Sequence, residues 1–167
     1  MSRKIARQHV FCVVFQFPFH APLTEETVSA AAALYMESGY WKTEGEANSG
    51  LTALSKPAKD PADPSLMSES DNSFFGNEIT GVYKNLPNID NIIGKYLRDW
   101  SLDRIARVDL ALLRLAVFEM FHSDEEIPIG ASINEAVELA KLYGTDDAPA
   151  YVNGLLGQVA RDSATHG

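Results

Sequence analysis

The stretch SLDRIARVDLALLRLAVFEMFH, residues 101–122, decides the fold class of this chain. Its second half, residues 110–121, is apolar except for Arg114 and Glu119. A helix that is apolar on every side must be covered on every side, so we predict a central buried helix with amphipathic segments packed around it. A buried strand is the alternative, but strands rarely exceed about eight residues, and Leu, Ala and Met favour helix. Ser101 is the predicted N-cap.

Two amphipathic helices are predicted upstream of this segment. The first covers residues 2–17 and places Arg3 and Arg7, four residues apart, on one exposed face. The β-branched and aromatic run within it also fits a strand, but the charged start lacks strict alternation. The second helix is predicted to begin at Thr24, with acidic residues in its first turn.

A proline-rich segment separates these two helices from the rest of the chain. Residues 42–70 contain KPAKDPADPS and are rich in Ser, Pro, Ala, Asp and Glu. Prolines exclude regular helix there, so we predict a long mobile loop. Helical spacing resumes near Asp71, and Pro87 is predicted to kink or break that helix before another over residues 88–100.

Two more helices are predicted after the central one. Ser132 and Glu135 form the capping-box pattern S-x-x-E, which predicts a helix start at Ser132. Asp146 or Asp147 is predicted to cap the last helix. The prediction for the whole chain is therefore a single all-α domain, residues 1–167, built as a bundle of about six or seven helices around a buried central helix.

Two glycines of the last predicted helix, Gly154 and Gly157, each cost about 1 kcal/mol relative to Ala in a helix. Close approach of a neighbouring helix is one reason for a chain to keep them.

Composition excludes several classes of protein. The chain has 167 residues and 46% hydrophobic residues, enough for one well-packed domain. It contains no run of about 18 apolar residues, so no membrane span is expected. The single cysteine, Cys12, excludes an internal disulfide and a cysteine-rich metal site, and it is consistent with a reducing cytoplasm.

The net charge of −9 is unevenly distributed. The chain begins with Arg3, Lys4 and Arg7 and has no acidic residue before Glu25. This asymmetry predicts a local anion contact at the N-terminus of a chain that otherwise repels polyanions. An ordinary solvated helix end is the alternative.

No motif predicts catalysis, a cofactor or a metal. The four histidines lack ligand spacing, and no phosphate-binding glycine loop or nucleophile elbow is present. Glu135 and Glu138 fit a helix cap and a solvated charge better than an acid–base pair. Arg114 and Glu119 fit a structural ion pair or hydrogen-bond hub, because buried charges must be paired. The residues alone therefore predict a helical binding module with a basic N-terminal helix.

Several of these segments together resemble the NusB family of transcription antitermination factors. The resemblance is carried by INEAVELAKLYG and YVNGLL after residue 132, by RVDLALLRLAVFEM from residue 107, and by GVYKN and NIDNIIGKYLRDWSLDRI upstream. Ala6-Arg7 and Phe15-Gln16 resemble the first helix of the family more loosely.

The resemblance implies an all-helical protein that binds boxA-type single-stranded RNA and has no cofactor. It implies a small-subunit ribosomal protein, NusE, as partner, and an RNA polymerase antitermination complex that reads through terminators, notably in ribosomal RNA operons. The RNA-binding residues that it implies are Arg3, Lys4, Arg7, Asp147, Tyr151 and Asn153. The partner-binding residues that it implies are Phe15 and Asp109.

The chain also departs from the family pattern. Ile5 replaces a residue that is often basic, residues 57–64 resemble an insertion, and the net charge is unusually acidic. These departures support an alternative hypothesis, in which the chain is a protein–protein interaction module, a homodimer or a partner-binding protein, with little or no RNA binding. For the RNA-binding hypothesis, we predict a face made by the first and last helices.

Overall fold

A computed structural model describes residues 3–17, 24–38, 63–97, 102–123 and 125–166. These residues form α-helices and two short 3₁₀ turns, Pro64–Leu66 and Leu102–Arg104, and contain no strand, which confirms the predicted all-α class. The helices are α1 (Lys4–Val14), α2 (Glu25–Ser38), α3 (Glu69–Gly94), α4 (Arg107–Phe121), α5 (Ile129–Tyr143) and α6 (Ala148–His166).

Contacts divide the chain into two compact units, residues 1–84 and residues 85–167. The assignment of the whole chain to a single domain stays a prediction. Most of the predicted loop, residues 42–62, lies outside the described residues. Its last part is structured, because residues 64–66 form a 3₁₀ turn and α3 already begins at Glu69.

In the first unit, α1 is buried on nearly every side rather than on one face. The expected exposed face with Arg3 and Arg7 is wrong, because Arg7 is only 7% exposed. The guanidinium carbons of Arg3 and Arg7 lie 5.0 and 5.3 Å from the ring centroid of Phe74. An aromatic face attracts cations and also covers the apolar stem of arginine, which explains why Arg7 is buried here.

The side of α1 that packs against α2 carries a buried polar cluster. The Nδ1 atom of His9 lies 2.7 Å from the hydroxyl oxygen of Tyr35, and both residues are fully buried. Burial raises the pKa of the Cys12 thiol to about 12, partly offset by a hydrogen bond from Tyr35. This thiol is therefore protonated and unreactive at neutral pH.

The start of α2 agrees with the sequence prediction. The Thr27 backbone N–H donates to Thr24 Oγ1 at 3.1 Å, and the Thr24 backbone N–H donates to Thr27 Oγ1 at 2.9 Å. These two bonds form a capping box in which Thr27 takes the role usually held by Glu or Gln.

The start of α3 is fixed by a capping box that the sequence reasoning missed. Ser68 and Asp71 match S-x-x-D; the Asp71 N–H donates to Ser68 Oγ at 3.0 Å, and the Ser68 N–H donates to Asp71 Oδ2 at 3.2 Å. Arg3 Nη1 also donates to Asp71 Oδ1 at 3.0 Å and to Ser70 Oγ at 2.9 Å. Arg3 therefore ties the start of α1 to the start of α3.

The predicted break at Pro87 is wrong, because α3 runs without interruption from Glu69 to Gly94 and contains Pro87. A proline inside a helix removes one backbone hydrogen bond and costs about 3 kcal/mol. Val82, Ile89 and Ile93 are all fully buried on the two sides of Pro87. One apolar stripe thus continues through the proline, and its burial offsets the lost hydrogen bond.

In the second unit, α4 is the buried helix that the sequence predicted, and it packs against α5 and α6. Residues 110–119 are all buried, with Leu112 and Leu113 fully buried, which confirms the central role of this segment. The predicted N-cap at Ser101 is wrong, because α4 begins at Arg107 with Ala106 as its N-cap. Ser101 itself lies outside the described residues.

Arg114 on α4 forms a structural ion pair, as the sequence predicted, and its partner is Asp90. Arg114 is 2% exposed, and its Nε and Nη2 atoms donate to the two carboxylate oxygens of Asp90, each at 2.9 Å. This bidentate pair connects α4 to α3 within the second unit. Glu119 is also buried.

The predicted start of α5 at Ser132 is wrong as well. Helix α5 begins at Ile129 with Pro128 as its N-cap, and the Ser132 N–H donates to the Pro128 carbonyl oxygen at 3.1 Å. Proline lacks an N–H and has a fixed φ, so it suits a helix start. Ser132 therefore lies inside the first turn and is fully buried, and Glu135 does not cap the helix.

Helix α6 begins one residue after Asp147, as predicted. The apolar face of α6 is buried and comprises Val152, Leu155, Leu156 and Val159. Close helix approach does not explain the two glycines, because a Cβ atom on Gly154 would meet nothing within 4 Å. A Cβ atom on Gly157 would approach only the Arg161 side chain, at 3.5 Å.

Candidate nucleic-acid interface

The second unit contains a cleft of about 520 Å³ at the point where α4 and α6 begin. Its size lies in the usual range for small-ligand sites. The side chains around it come from the residues just after α3, from the segment before α4, from the first turn of α4, and from the start of α6 and the residues before it. They include Tyr96, Arg104, Asp109, Thr145, Asp147 and Tyr151.

Tyr151 presents its ring at the edge of this cleft. It lies in the first turn of α6 and is 39% exposed, which is high for a tyrosine in a packed helix. Its backbone N–H donates to the carbonyl oxygen of Asp147 at 3.1 Å, so Asp147 occupies the N-cap position. Partial burial, and next the negative charge of Asp109, raise the pKa of the Tyr151 hydroxyl. The hydroxyl is therefore a hydrogen-bond donor at neutral pH.

Asp109 faces the same cleft from the first turn of α4. Its carboxyl group is half-buried, and this loss of solvent raises its pKa above the ordinary value. A carboxylate is stabilised at a helix N-terminus, where backbone N–H groups point toward it.

Tyr96 is a second aromatic residue that lines the cleft. It is half-buried, and its hydroxyl donates to Asp162 Oδ2 at 2.8 Å. Burial raises the pKa of Tyr96, and the bond and charge of Asp162 raise it further. Helical spacing gave no signal for this role, because Tyr96 follows the last turn of α3, where the helical repeat no longer applies.

The structure brings together three of the predicted site residues, Asp109, Asp147 and Tyr151. Asn153 is exposed on α6 but does not line the cleft. Two residues along a helix correspond to more than half a turn, so Asn153 and Tyr151 lie on different faces.

The three basic residues at and just before the start of α1 belong to the first unit and differ in their accessibility. Lys4 is exposed, whereas Arg3 and Arg7 are the two arginines held over Phe74. The side chain of Arg3 is 21% exposed and bonded to Asp71. Lys4 is therefore the most solvent-exposed of the three basic residues.

Phe15, the predicted partner contact, is buried. It is 5% exposed at the end of α1, and its ring centroid lies 6.0 Å from that of Phe11. Phe15 therefore offers little accessible surface to a partner protein.

Among the described residues, no cluster of three or more His, Cys, Asp or Glu side chains could hold a metal ion. No helix in the described ranges is long and apolar enough to cross a membrane.

Comparison with known proteins assigns the family. A sequence model described as "NusB family" matches residues 24–161, which is most of the chain. The chain belongs to the NusB family. The match includes α2 to α5 and most of α6, and so includes the whole cleft.

Several curated relatives are named "Transcription antitermination protein NusB". The chain is 45% identical over 95 residues to the protein of Acetivibrio thermocellus, covering 57% of this chain and 65% of that protein. It is 49% identical over 94 residues to the protein of Bacillus pumilus, covering 56% and 70%. It is 42% identical over 109 residues to the protein of Syntrophotalea carbinolica, covering 65% and 67%. The chain thus spans about two thirds of the length of these relatives.

Solved structures support the same fold. T. maritima NusB superimposes with a TM-score of 0.66 and 29% identity, covering 96% of this chain and 92% of that one. A chain in the crystal structure of a plectonemic RNA supercoil superimposes with a TM-score of 0.72 and 21% identity, covering 99% and 98%.

Proposed function

We propose that this NusB-family chain is a transcription antitermination factor that binds boxA-type single-stranded RNA. In this proposal it acts with a small-subunit ribosomal protein, the NusE partner of the family, and supports read-through by RNA polymerase, notably in ribosomal RNA operons. The observation that carries the proposal is the cleft where α6 begins, in which Tyr151 presents a partly exposed ring beside Asp147 and Asp109.

The chemistry of this cleft suits an unpaired base. Proteins recognise single-stranded RNA by stacking bases on aromatic side chains and by hydrogen bonds to base edges. Tyr151 provides an aromatic face, and the carboxylates beside it provide hydrogen-bond acceptors. The contribution expected from such a stacking residue is about 1–3 kcal/mol on substitution by Ala.

Phosphate contacts are expected to be few. The chain carries a net charge of −9 and so repels RNA over most of its surface. Of the three basic residues near the start of the chain, we propose that Lys4 contacts a phosphate, while Arg3 and Arg7 chiefly hold α1 against α3. A basic ribosomal protein would supply the positive charge that this chain lacks, so tight RNA binding should require the partner.

The test is a fluorescence-anisotropy titration of a boxA-like single strand at two salt concentrations, with and without the ribosomal protein. Tyr151→Ala should weaken binding about tenfold or more without changing its salt dependence. Lys4→Ala should weaken binding and reduce the log–log salt slope by about one unit. Matched controls are Phe121→Ala, an aromatic ring 38% exposed at the far end of α4, and Lys141→Ala on α5.

Two results would contradict the proposal. Equal RNA affinity in the wild type and Tyr151→Ala would show that the cleft is not the interface. A complex that forms with the ribosomal protein but binds no RNA would favour the interaction-module hypothesis, which the acidic charge and the protein partners of Arg3 and Arg7 support.

A further inference from the structure

The basic start of the chain contacts an anion that belongs to the chain itself. The acid-free N-terminus predicted an anion contact, and Arg3 makes one: its Nη1 atom donates to Asp71 Oδ1 at 3.0 Å and to Ser70 Oγ at 2.9 Å. The side chains of Arg3 and Asp71 are only 21% and 10% exposed. A carboxylate and a phosphate present the same kind of charged oxygen to a guanidinium. Asp71 therefore fills a position on Arg3 that an RNA phosphate would need.

Asp71 is held in this position independently of Arg3. Its Oδ2 atom accepts from the Ser68 backbone N–H at 3.2 Å, and its own N–H donates to Ser68 Oγ at 3.0 Å. These contacts lower the pKa of Asp71, with the Ser68 N–H as the largest cause and Arg3 as the next, so the carboxylate is charged at neutral pH. Asp71 is therefore a fixed and charged competitor for any anion that approaches Arg3.

Arg3 is the partner that can move. It is the N-cap residue of α1, and its side chain makes no capping bond, so its release leaves the helix itself intact. Its guanidinium carbon lies 5.0 Å from the Phe74 ring centroid, and that of Arg7 lies 5.3 Å from the same centroid. Arg7 is buried and continues to cover the ring if Arg3 leaves. The release of Arg3 therefore costs little more than one partly exposed ion pair, and such pairs are weak.

We propose that the pair of Arg3 and Asp71 is an autoinhibitory contact, in which Asp71 competes with RNA phosphate for the Arg3 guanidinium. RNA gains a contact with Arg3 only by displacing a carboxylate, so the gain in affinity is the difference between the two pairs. This inference rests on the proposed RNA binding and adds a limit on its affinity that the fold itself imposes.

A purely structural ion pair is the closest alternative. Such a pair would tie α1 to α3 and leave RNA binding unchanged. The charge distribution favours competition instead, because Arg3 is one of only three basic residues before Glu25. Asp71 neutralises that charge at close range and so reduces the attraction of the N-terminus for a polyanion.

The test is an anisotropy titration of the boxA-like single strand at two salt concentrations, with the ribosomal protein present. Asp71→Asn keeps an oxygen that can accept from the Ser68 N–H but removes the charge that holds Arg3. It should raise RNA affinity about five- to tenfold and increase the log–log salt slope by about one unit, because one more phosphate contact forms. Arg3→Ala should leave the salt slope of the wild type unchanged and should erase the gain in the Asp71→Asn background.

Matched variants separate this competition from net charge and from folding. Glu69→Gln also removes one negative charge from the first turn of α3, and it should leave the salt slope unchanged. Ser70→Ala removes the second acceptor of Arg3 while the capping box stays intact, and it should raise affinity by less than Asp71→Asn. Circular dichroism melting identifies any variant that fails to fold, and Ser70→Ala provides the test if Asp71→Asn does not fold.

Each remaining outcome overturns the inference in a distinct way. Equal RNA affinity of the wild type, Asp71→Asn and Ser70→Ala shows that the ion pair is only structural, while the proposed RNA binding stands. An equal gain in Glu69→Gln assigns the effect to net charge, and a gain that survives Arg3→Ala assigns it to another residue. Absence of RNA binding by every variant and the wild type, even with the ribosomal protein, rejects the inference and the proposed function together.

Discussion

At the scale of single residues, two carboxyl groups of this chain have opposite pKa shifts with separate causes. The Ser68 backbone N–H, and then Arg3, lower the pKa of Asp71 below its ordinary value of 3.8. Burial without a comparable set of donors raises the pKa of Asp109 above the same value. The two groups should therefore affect the stability of the fold in opposite directions as the pH changes.

Replacing Asp71 with Asn should destabilise the protein at neutral pH. The variant loses the charge that Arg3 and the Ser68 N–H stabilise. A lowered folded-state pKa contributes stability above the unfolded value of about 3.9, and this contribution disappears as the pH falls through the folded value. Urea unfolding at several pH values should show a difference from the wild type that shrinks in acid. A pH-independent difference would contradict the assignment.

Replacing Asp109 with Asn should leave stability at neutral pH unchanged or higher. Its raised folded-state pKa means that the charged form is disfavoured by folding, and this penalty is absent below about pH 3.9, where both states are protonated. Any gain in the variant should therefore vanish in acid. Clear destabilisation at neutral pH would show that Asp109 is held by a structural hydrogen bond instead.

Removing one partner of the Arg114–Asp90 ion pair should destabilise the fold more than removing both partners together. Asp90→Ala removes both bonds to a guanidinium that is 2% exposed, and it should cost about 3 kcal/mol of unfolding free energy. The double variant Arg114→Met with Asp90→Ala should cost less, because it leaves no buried charge behind. A double variant that is less stable than Asp90→Ala would contradict this explanation.

At the scale of helices, composition and period predicted where helices lie better than where they begin. The apolar run of α4 follows directly from its composition. The S-x-x-E pattern at Ser132 misled because Pro128 starts α5 earlier. The S-x-x-D pattern at Ser68, which does cap α3, was missed because it directly follows a proline-rich segment. Short capping patterns recur by chance, and backbone geometry decides which of them is used.

Two glycines give a matched test at this scale: Gly144, which follows α5, and Gly154, which lies within α6. Gly154→Ala should stabilise the protein by up to about 1 kcal/mol, because the new methyl group meets open space and alanine favours helix. Gly144→Ala should destabilise it, because the new Cβ would come within 2.9 Å of the Ala140 carbonyl oxygen, inside normal contact distance. Thermal melting of both variants measures the two effects. A destabilised Gly154→Ala would show that this glycine has an unseen partner.

At the scale of the whole molecule, the sequence predicted the helical class and the buried helix, because these depend on sums over many side chains. It also indicated Asp147 and Tyr151 through their resemblance to the family. It could not predict that Arg7 lies buried over Phe74 or that Tyr96 lines the cleft, because both depend on contacts between residues far apart in sequence. Because a net charge of −9 repels RNA, the proposed RNA binding includes a basic partner protein that supplies positive charge.

Photo-crosslinking tests the central claim, that the cleft at the start of α6 is the RNA interface, most directly. A boxA-like single strand containing a photoreactive uridine analogue is bound to the complex with the ribosomal protein, irradiated and mapped by mass spectrometry. We expect crosslinks on the peptide that contains Tyr151 and on that containing Tyr96, and we expect Tyr151→Ala to lose the first of them. Crosslinks confined to other peptides of this chain, such as those from α2, would contradict the account.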